Sequence, residues 1–196
     1  GNDSVLAGAG VDDIDGGTGD DTVFGEAGGD NIDGEAGNDS LSGGTGQDSI
    51  WGGAGNDTID GGAENDALYG GAGDDNITGG AGSDFISLSG GADTVSAGDD
   101  GDNIVVDASG YVDGTIVTVD GGTGGTDNDT LNLTDFTYYT SLTETPDGDG
   151  DSTSGIVVVL DASGNEITFN FTEIENLYLP PIAPNYIVEG TAGDDL

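Results

Sequence analysis

The stretch 52–60 reads GGAGNDTID, and close variants surround it: GGTGDDTVF at 16–24, GGTGQDSIW at 43–51, GGAGDDNIT at 70–78 and GGAGSDFIS at 79–87. All sit in one nine-residue frame. Stepping by nine from Asp3 meets Asp12, Asp21, Asp30, Asp39, Asp48, Asp57, Asp66, Asp75, Asp84, Asp93 and Asp102, with no insertion or deletion. Two residues further on, the frame holds only branched aliphatics: Val5, Ile14, Val23, Ile32, Leu41, Ile50, Ile59, Leu68, Ile77, Ile86, Val95 and Ile104. Self-similarity at fixed phase is the signature of a stacked-repeat architecture, in which each unit is completed by its neighbours. It rules out disorder for residues 1–105, which a glycine-rich acidic composition would otherwise suggest.

The rest of the composition removes whole classes of function. The 196 residues include 40 Asp and Glu, 41 Gly and no Lys, Arg, His, Cys or Met, for a formal net charge of −40. Without cations the chain cannot neutralise phosphates, so nucleic acid is not an expected partner. Anionic lipid head groups would repel it, and no apolar run approaches the ~20 residues of a membrane-spanning helix, so no membrane insertion is expected. The missing Cys and His take away disulfides, thiolate chemistry, the usual zinc ligands and the usual general base. The abundant serines have no His or Lys to activate them, so no catalytic residue is assigned and the chain is not expected to be an enzyme.

Carboxylates in such number call for cations. Within each unit, glycine dominates positions 1, 2 and 4. Those at positions 2 and 4, in particular Gly8, Gly10, Gly17, Gly19, Gly44, Gly46, Gly53, Gly55, Gly71, Gly73, Gly80 and Gly82, let the backbone adopt positive φ and approach a ligand closely. Their carbonyls can then point at one centre, to which the position-6 Asp adds carboxylate oxygens. An all-oxygen donor set suits a hard cation with six to eight ligands, which is Ca²⁺ more than Mg²⁺. Positions 7 to 9 read as a short strand with its aliphatic residue inward and its neighbours outward.

This unit resembles the glycine-rich nonapeptide G-G-x-G-x-D-x-U-x of the RTX (repeats-in-toxin) calcium-binding repeat family, over a little more than half of the chain. The resemblance implies an all-β fold, a parallel β-roll in which two units make one coil. Turns then stack between units i and i+2, with Ca²⁺ held between stacked turns by Asp from both. Twelve turns would give about ten ions in all. The metal ligands expected on this basis are the twelve repeat aspartates and the glycines named above.

Burying an aliphatic side chain stabilises by about 1.5–3 kcal/mol, whereas ordering the backbone costs about 1–2 kcal/mol for every residue. Each coil would bury only two such side chains, so apolar packing alone loses this comparison and the repeats are expected to fold only with Ca²⁺. Extracellular calcium modules work at about 10⁻⁴–10⁻³ M, so folding outside the cell is expected.

Some units depart from the pattern. Glu64 replaces the position-4 glycine, unit 88–96 opens with Leu88 and Ser89, and Asp99 and Asp100 enter the turn of unit 97–105. Trp51 and Tyr69 fall side by side on one outer face, and Leu6 and Phe24 on the other; both cross-strand packing and a lateral contact patch fit them.

The period fails after residue 105. Residues 106–179 read as a β-rich cap or insert with strands at 111–119, 130–139, 155–160 and 166–172, the last two joined by a five-residue hairpin loop at 161–165. A degenerate unit at 121–131 adds Asp129 as a candidate ligand. Asp147, Asp149 and Asp151 alternate as at the start of an EF-hand loop, but Val158 stands where that loop needs a bidentate Glu. Pro-rich residues 180–189 read as a linker. Residues 190–196, GTAGDDL, read as the opening of a further repeat block, with Asp195 as a ligand.

The expected function is that of a calcium-binding structural segment of a secreted or cell-surface bacterial protein, a rigid spacer or assembly module in an adhesin, surface layer, matrix or filament, capable of self-association. The alternative is the repeat and secretion region of an RTX toxin or secreted enzyme, such as a hemolysin, protease or lipase, whose activity lies elsewhere. Paired carboxylates acting as in glycosidases and a carbohydrate-binding role for the insert through Tyr138, Tyr139 and Trp51 are the lesser readings.

Overall fold

A computed structural model describes residues 1–122, 128–146 and 152–183. The repeat block supplies β1 (Ser4–Ala9), β2 (Asp13–Asp15), β3 (Thr22–Ala27), β4 (Asn31–Asp33), β5 (Ser40–Thr45) and β6 (Ser49–Ala54). It continues with β7 (Thr58–Ala63), β8 (Ala67–Ala72), β9 (Asn76–Ala81), β10 (Phe85–Ser89), β11 (Thr94–Asp99) and β12 (Asn103–Asp107). Beyond it lie β13 (Thr115–Asp120), β14 (Thr130–Asn132), β15 (Tyr138–Pro146), β16 (Thr153–Leu160), β17 (Glu166–Ile174) and β18 (Asn176–Tyr178).

The odd strands together with β16 build one sheet, in the order β1-β3-β5-β7-β9-β11-β13-β17-β16-β15, and the remaining even strands build the other, β18-β14-β12-β10-β8-β6-β4-β2. One odd and one even strand make a coil. Within the repeats every ladder is parallel and in register at an offset of two units, as in Ile32↔Ile50 and Leu41↔Ile59. The resulting architecture is an all-β parallel β-roll. The chain alternates sheets because each aliphatic residue must face the thin core between them. From Val23 to Ile104 all ten of these residues are at most 2% exposed.

The strands outrun the three residues expected of each unit. In β5, β7 and β9 the ladder continues into the glycines of the next unit, pairing Gly44↔Gly62 and Gly62↔Gly80. Glycine has no side chain to collide with the adjacent coil, so pairing extends through it.

The change at residue 105 is one of repeat length, not of sheet. Val95 pairs with Val119 and Val119 with Phe171, while Ile104 pairs with Leu131 and Leu131 with Leu177. Two more coils, β13–β14 and β17–β18, thus stack on the six regular ones. β15 and β16 then add antiparallel to β17, and Tyr111, Phe136 and Phe169 fill the broader core beneath them, with ring centroids 5.6–6.4 Å apart. Two expected strands need correction. The strand expected at 130–139 is two, in different sheets: the Asn132 side chain accepts hydrogen bonds from the Thr134 N–H (3.0 Å) and hydroxyl (2.7 Å), turning the chain there. The strand expected from residue 111 starts at Thr115, after a turn in which the Thr115 hydroxyl donates to the Val112 carbonyl at 2.9 Å. The hairpin loop at 161–165 is present, with the Asp161 carboxylate accepting from the N–H groups of Ser163 and Asn165.

On the outer face, Trp51 and Tyr69 stack with centroids 5.3 Å apart and planes 4° from parallel, and Phe85 joins them at 5.8 Å from Tyr69. Leu6 and Phe24 pair across β1 and β3.

The turns demand positive φ at positions 2 and 4, where glycine usually stands, and three glutamates are held there instead: Glu26 and Glu35 at position 2 and Glu64 at position 4 have φ of 74°, 65° and 80°. A side chain in this region costs roughly 1–2 kcal/mol. Glu64→Gly is therefore expected to stabilise the folded chain by about 1 kcal/mol, read as a higher thermal midpoint at fixed calcium.

Candidate functional site

The repeat aspartates form two columns, one along each edge of the roll. One column runs through Asp3, Asp21, Asp39, Asp57, Asp75 and Asp93. The other runs through Asp12, Asp30, Asp48, Asp66, Asp84 and Asp102, continuing into Asp129. From Asp21 to Asp102 every repeat Asp is 1–4% exposed, and Asp129 is fully buried. Asp3 and Asp12, in the first coil, are more open.

Each carboxylate has a division of labour. Its Oδ1 accepts a hydrogen bond from the backbone N–H of the Asp one coil earlier, for example Asp39 N–H to Asp57 at 2.8 Å and Asp57 N–H to Asp75 at 2.9 Å. The series runs at 2.6–3.0 Å from Asp3 N–H to Asp21 through to Asp102 N–H to Asp129. The other oxygen, Oδ2, is buried with no protein hydrogen-bond partner in Asp12, Asp21, Asp30, Asp39, Asp48, Asp57, Asp66, Asp75, Asp84 and Asp93. Leaving a charged oxygen buried without a partner costs several kcal/mol, so this repeated arrangement requires something outside the protein to meet it. No Lys, Arg or His exists in the chain to do so.

The position-1 glycines show where these oxygens point. A Cβ built on Gly34 would lie 2.6 Å from Asp39 Oδ2 and 2.6 Å from the Gly52 carbonyl oxygen of the next coil. On Gly52 it would lie 2.6 Å from Asp57 Oδ2 and 2.5 Å from the Gly70 carbonyl. Gly25, Gly43, Gly61 and Gly79 repeat the pairing. A carboxylate oxygen and a carbonyl oxygen from successive coils thus converge at these gaps between turns. Among the described residues no three acidic side chains gather at one point; the columns offer one carboxylate per turn, and backbone carbonyls must complete an oxygen shell. This donor set, hard, anionic and all oxygen, fits Ca²⁺.

All twelve position-2 and position-4 glycines expected at the site have positive φ, from 97° at Gly17 to 137° at Gly10. A Cβ on Gly46 or Gly55 would run into the carbonyl oxygen of Gly28 or Gly37 in the coil before. Their lack of a side chain is what allows turns to stack. Asp147, Asp149, Asp151 and Asp195, with the repeat opening expected at 190–196, lie outside the described residues.

Two features escaped the sequence reading. The position-1 glycines face the carboxylates more directly than those at positions 2 and 4. Glu175 also ends the second column, its carboxylate accepting from the Asp129 N–H. Glu175-Asn176-Leu177 repeats the type of Asp102-Asn103-Ile104, which was the available signal.

Burial pushes the carboxyls of Asp66 and Asp93 up to about 7 and those of Asp75 and Asp84 up to about 6, against the opposing pull of the backbone N–H donors. Neighbouring column carboxylates add to the rise at Asp66, Asp75 and Asp93.

The family model of the RTX calcium-binding nonapeptide repeat matches four copies, at residues 1–32, 33–68, 60–95 and 69–104. The chain belongs to this family and carries its calcium-binding repeats. No curated protein matches it. Among solved structures it is similar to the solution structure of the AlgE6R3 subunit from the Azotobacter vinelandii mannuronan C5-epimerase, at 20% identity over 97% of this chain and 92% of that one, with a TM-score of 0.29.

Two outcomes are expected. Gly52 has ordinary φ, so Gly52→Ala tests crowding alone; its methyl group against Asp57 and Gly70 should destabilise the calcium-loaded protein by about 1–3 kcal/mol, measured by denaturant unfolding. In the absence of calcium, the raised carboxyl values mean that the folded form binds more protons than the unfolded chain, whose carboxyls titrate near ~4. Stability is then present below about 4 and lost as pH rises through about 6–7. Circular dichroism in chelator should show β signal growing as pH is lowered from about 8 to about 4.

Proposed function

We propose that this chain is a calcium-hardened spacer segment of an exported protein, unfolded where calcium is scarce and rigid where it is plentiful. The observation that carries this reading is the pair of buried carboxylate columns, in which one oxygen of each repeat Asp from Asp12 to Asp84 is turned, unpartnered, into the gap between coils. The metal ligands are the repeat aspartates with the glycine-turn carbonyls, one ion per gap, which makes about ten ions for the twelve regular turns. The working range of extracellular calcium modules, about 10⁻⁴–10⁻³ M, matches folding after export, at the cell surface or beyond. Among the described residues no helix is long and apolar enough to cross a membrane.

The chain's own residues support binding and not catalysis. The regularly spaced repeat acids are committed to the columns by backbone hydrogen bonds. A place within a surface layer, adhesin, matrix or filament is supported by a repeat block whose length grows by whole coils.

Titration of calcium into chelated protein, followed by circular dichroism and light scattering together, tests this. Cooperative gain of β signal at submillimolar to millimolar calcium, reversed by chelator, is expected. Full β signal in chelator at neutral pH, or none at millimolar calcium, refutes calcium-coupled folding. Growth of scattering alongside the β signal marks an assembly module; its absence marks a monomeric spacer.

A further inference from the structure

The two columns end differently. On one edge Asp102 is followed by Asp129 and then Glu175, each accepting the N–H of the acid before it. On the other edge Asp93 has no successor. Thr94 pairs with Thr118, so Val117, fully buried, stands where a seventh carboxylate would. The unit containing Asp93 also opens with Leu88 in place of glycine. At Gly70, one coil earlier in the same register, a Cβ would lie 2.6 Å from Asp75 Oδ2. Leu88 therefore puts an apolar side chain, also fully buried, where other units leave the carboxylate a bare Cα.

Above this position lies Tyr111, from the loop between β12 and β13. It is 4% exposed and held by Phe136 and Phe169, with ring centroids 5.9 and 6.4 Å away. Gly110, the residue before it, abuts the turn of the Asp93 unit: a Cβ on Gly110 would lie 3.2 Å from the Gly90 Cα. The Tyr111 hydroxyl is buried and faces the Asp93 carboxyl, the acid with which it shares a hydrogen-bond interaction, with Asp107 and Asp75 also acting on it. Asp93 Oδ2 is the matching buried atom of the column, the oxygen that no backbone N–H reaches. A phenol brings what this oxygen lacks, an O–H donor, and it comes on a ring packed into the apolar core.

We infer that Tyr111 and Leu88 close this aspartate column with a metal-free rung, in which the phenol hydroxyl replaces the cation over Asp93. This rests on calcium filling the other gaps as proposed above. It makes Asp93 the neighbour of one ion, where Asp57 in mid-column borders two.

The test counts ions on folded protein at saturating calcium, by equilibrium dialysis with atomic absorption. Asp57→Ala should lose two ions and Asp93→Ala one. Tyr111→Phe should keep the wild-type number and lower the thermal midpoint. Loss of two ions in Asp93→Ala, or of one in Tyr111→Phe, would place a cation in the Asp93–Tyr111 gap and overturn the inference. If Tyr111→Phe does not fold, the two alanine variants decide alone. Absence of calcium binding in the wild-type chain would instead fail the underlying reading, a result distinct from either.

Discussion

A buried carboxylate oxygen facing another coil is the constraint on which this molecule depends. The eight repeat aspartates from Asp21 to Asp84 place one oxygen in the protein's hydrogen-bond network and turn the other away from every protein donor. The first contact fixes register, since Asp N–H of one coil can meet Asp Oδ1 only of the next. The second creates a demand that recurs along both columns and that, short of the Tyr111 hydroxyl at one column's end, no donor in this chain without basic side chains meets. Charge is therefore the organising quantity, and the thin aliphatic core sets spacing rather than supplying the main cohesion.

Glycine serves two separate needs along the same turn. At positions 2 and 4 it permits backbone angles closed to other residues and lets carbonyl oxygens of one coil abut the Cα of the next. At position 1, where Gly52 has ordinary φ, it is required because carboxylate and carbonyl oxygens crowd the place a methyl group would take. A single compositional bias thus encodes both the shape of the turn and the approach of donor oxygens.

The repeat block was legible because its rules are local and periodic. Asp3 to Asp102 and Val5 to Ile104 each occupy one fixed phase, and the inward and outward faces followed from the period. The stacked pair Trp51 and Tyr69 was legible for the same reason. Past residue 105 the coils go on, but with 24, 27, 46 and 52 residues between paired positions such as Val95–Val119, Ile104–Leu131, Leu131–Leu177 and Val119–Phe171. Variable loops hide a constant register from any search at fixed spacing. Glu175 was hidden for a further reason: a side chain one methylene longer fills a place that aspartate fills elsewhere. Tyr111 could not be read at all, because its role arises only when a loop folds over the end of a column.

Trp51 is the chain's single tryptophan, and its ring lies flat against Tyr69 only because two successive coils of one sheet are aligned. Its emission is consequently an intrinsic optical gauge of inter-coil alignment, placed in the middle of the regular block and requiring no attached dye.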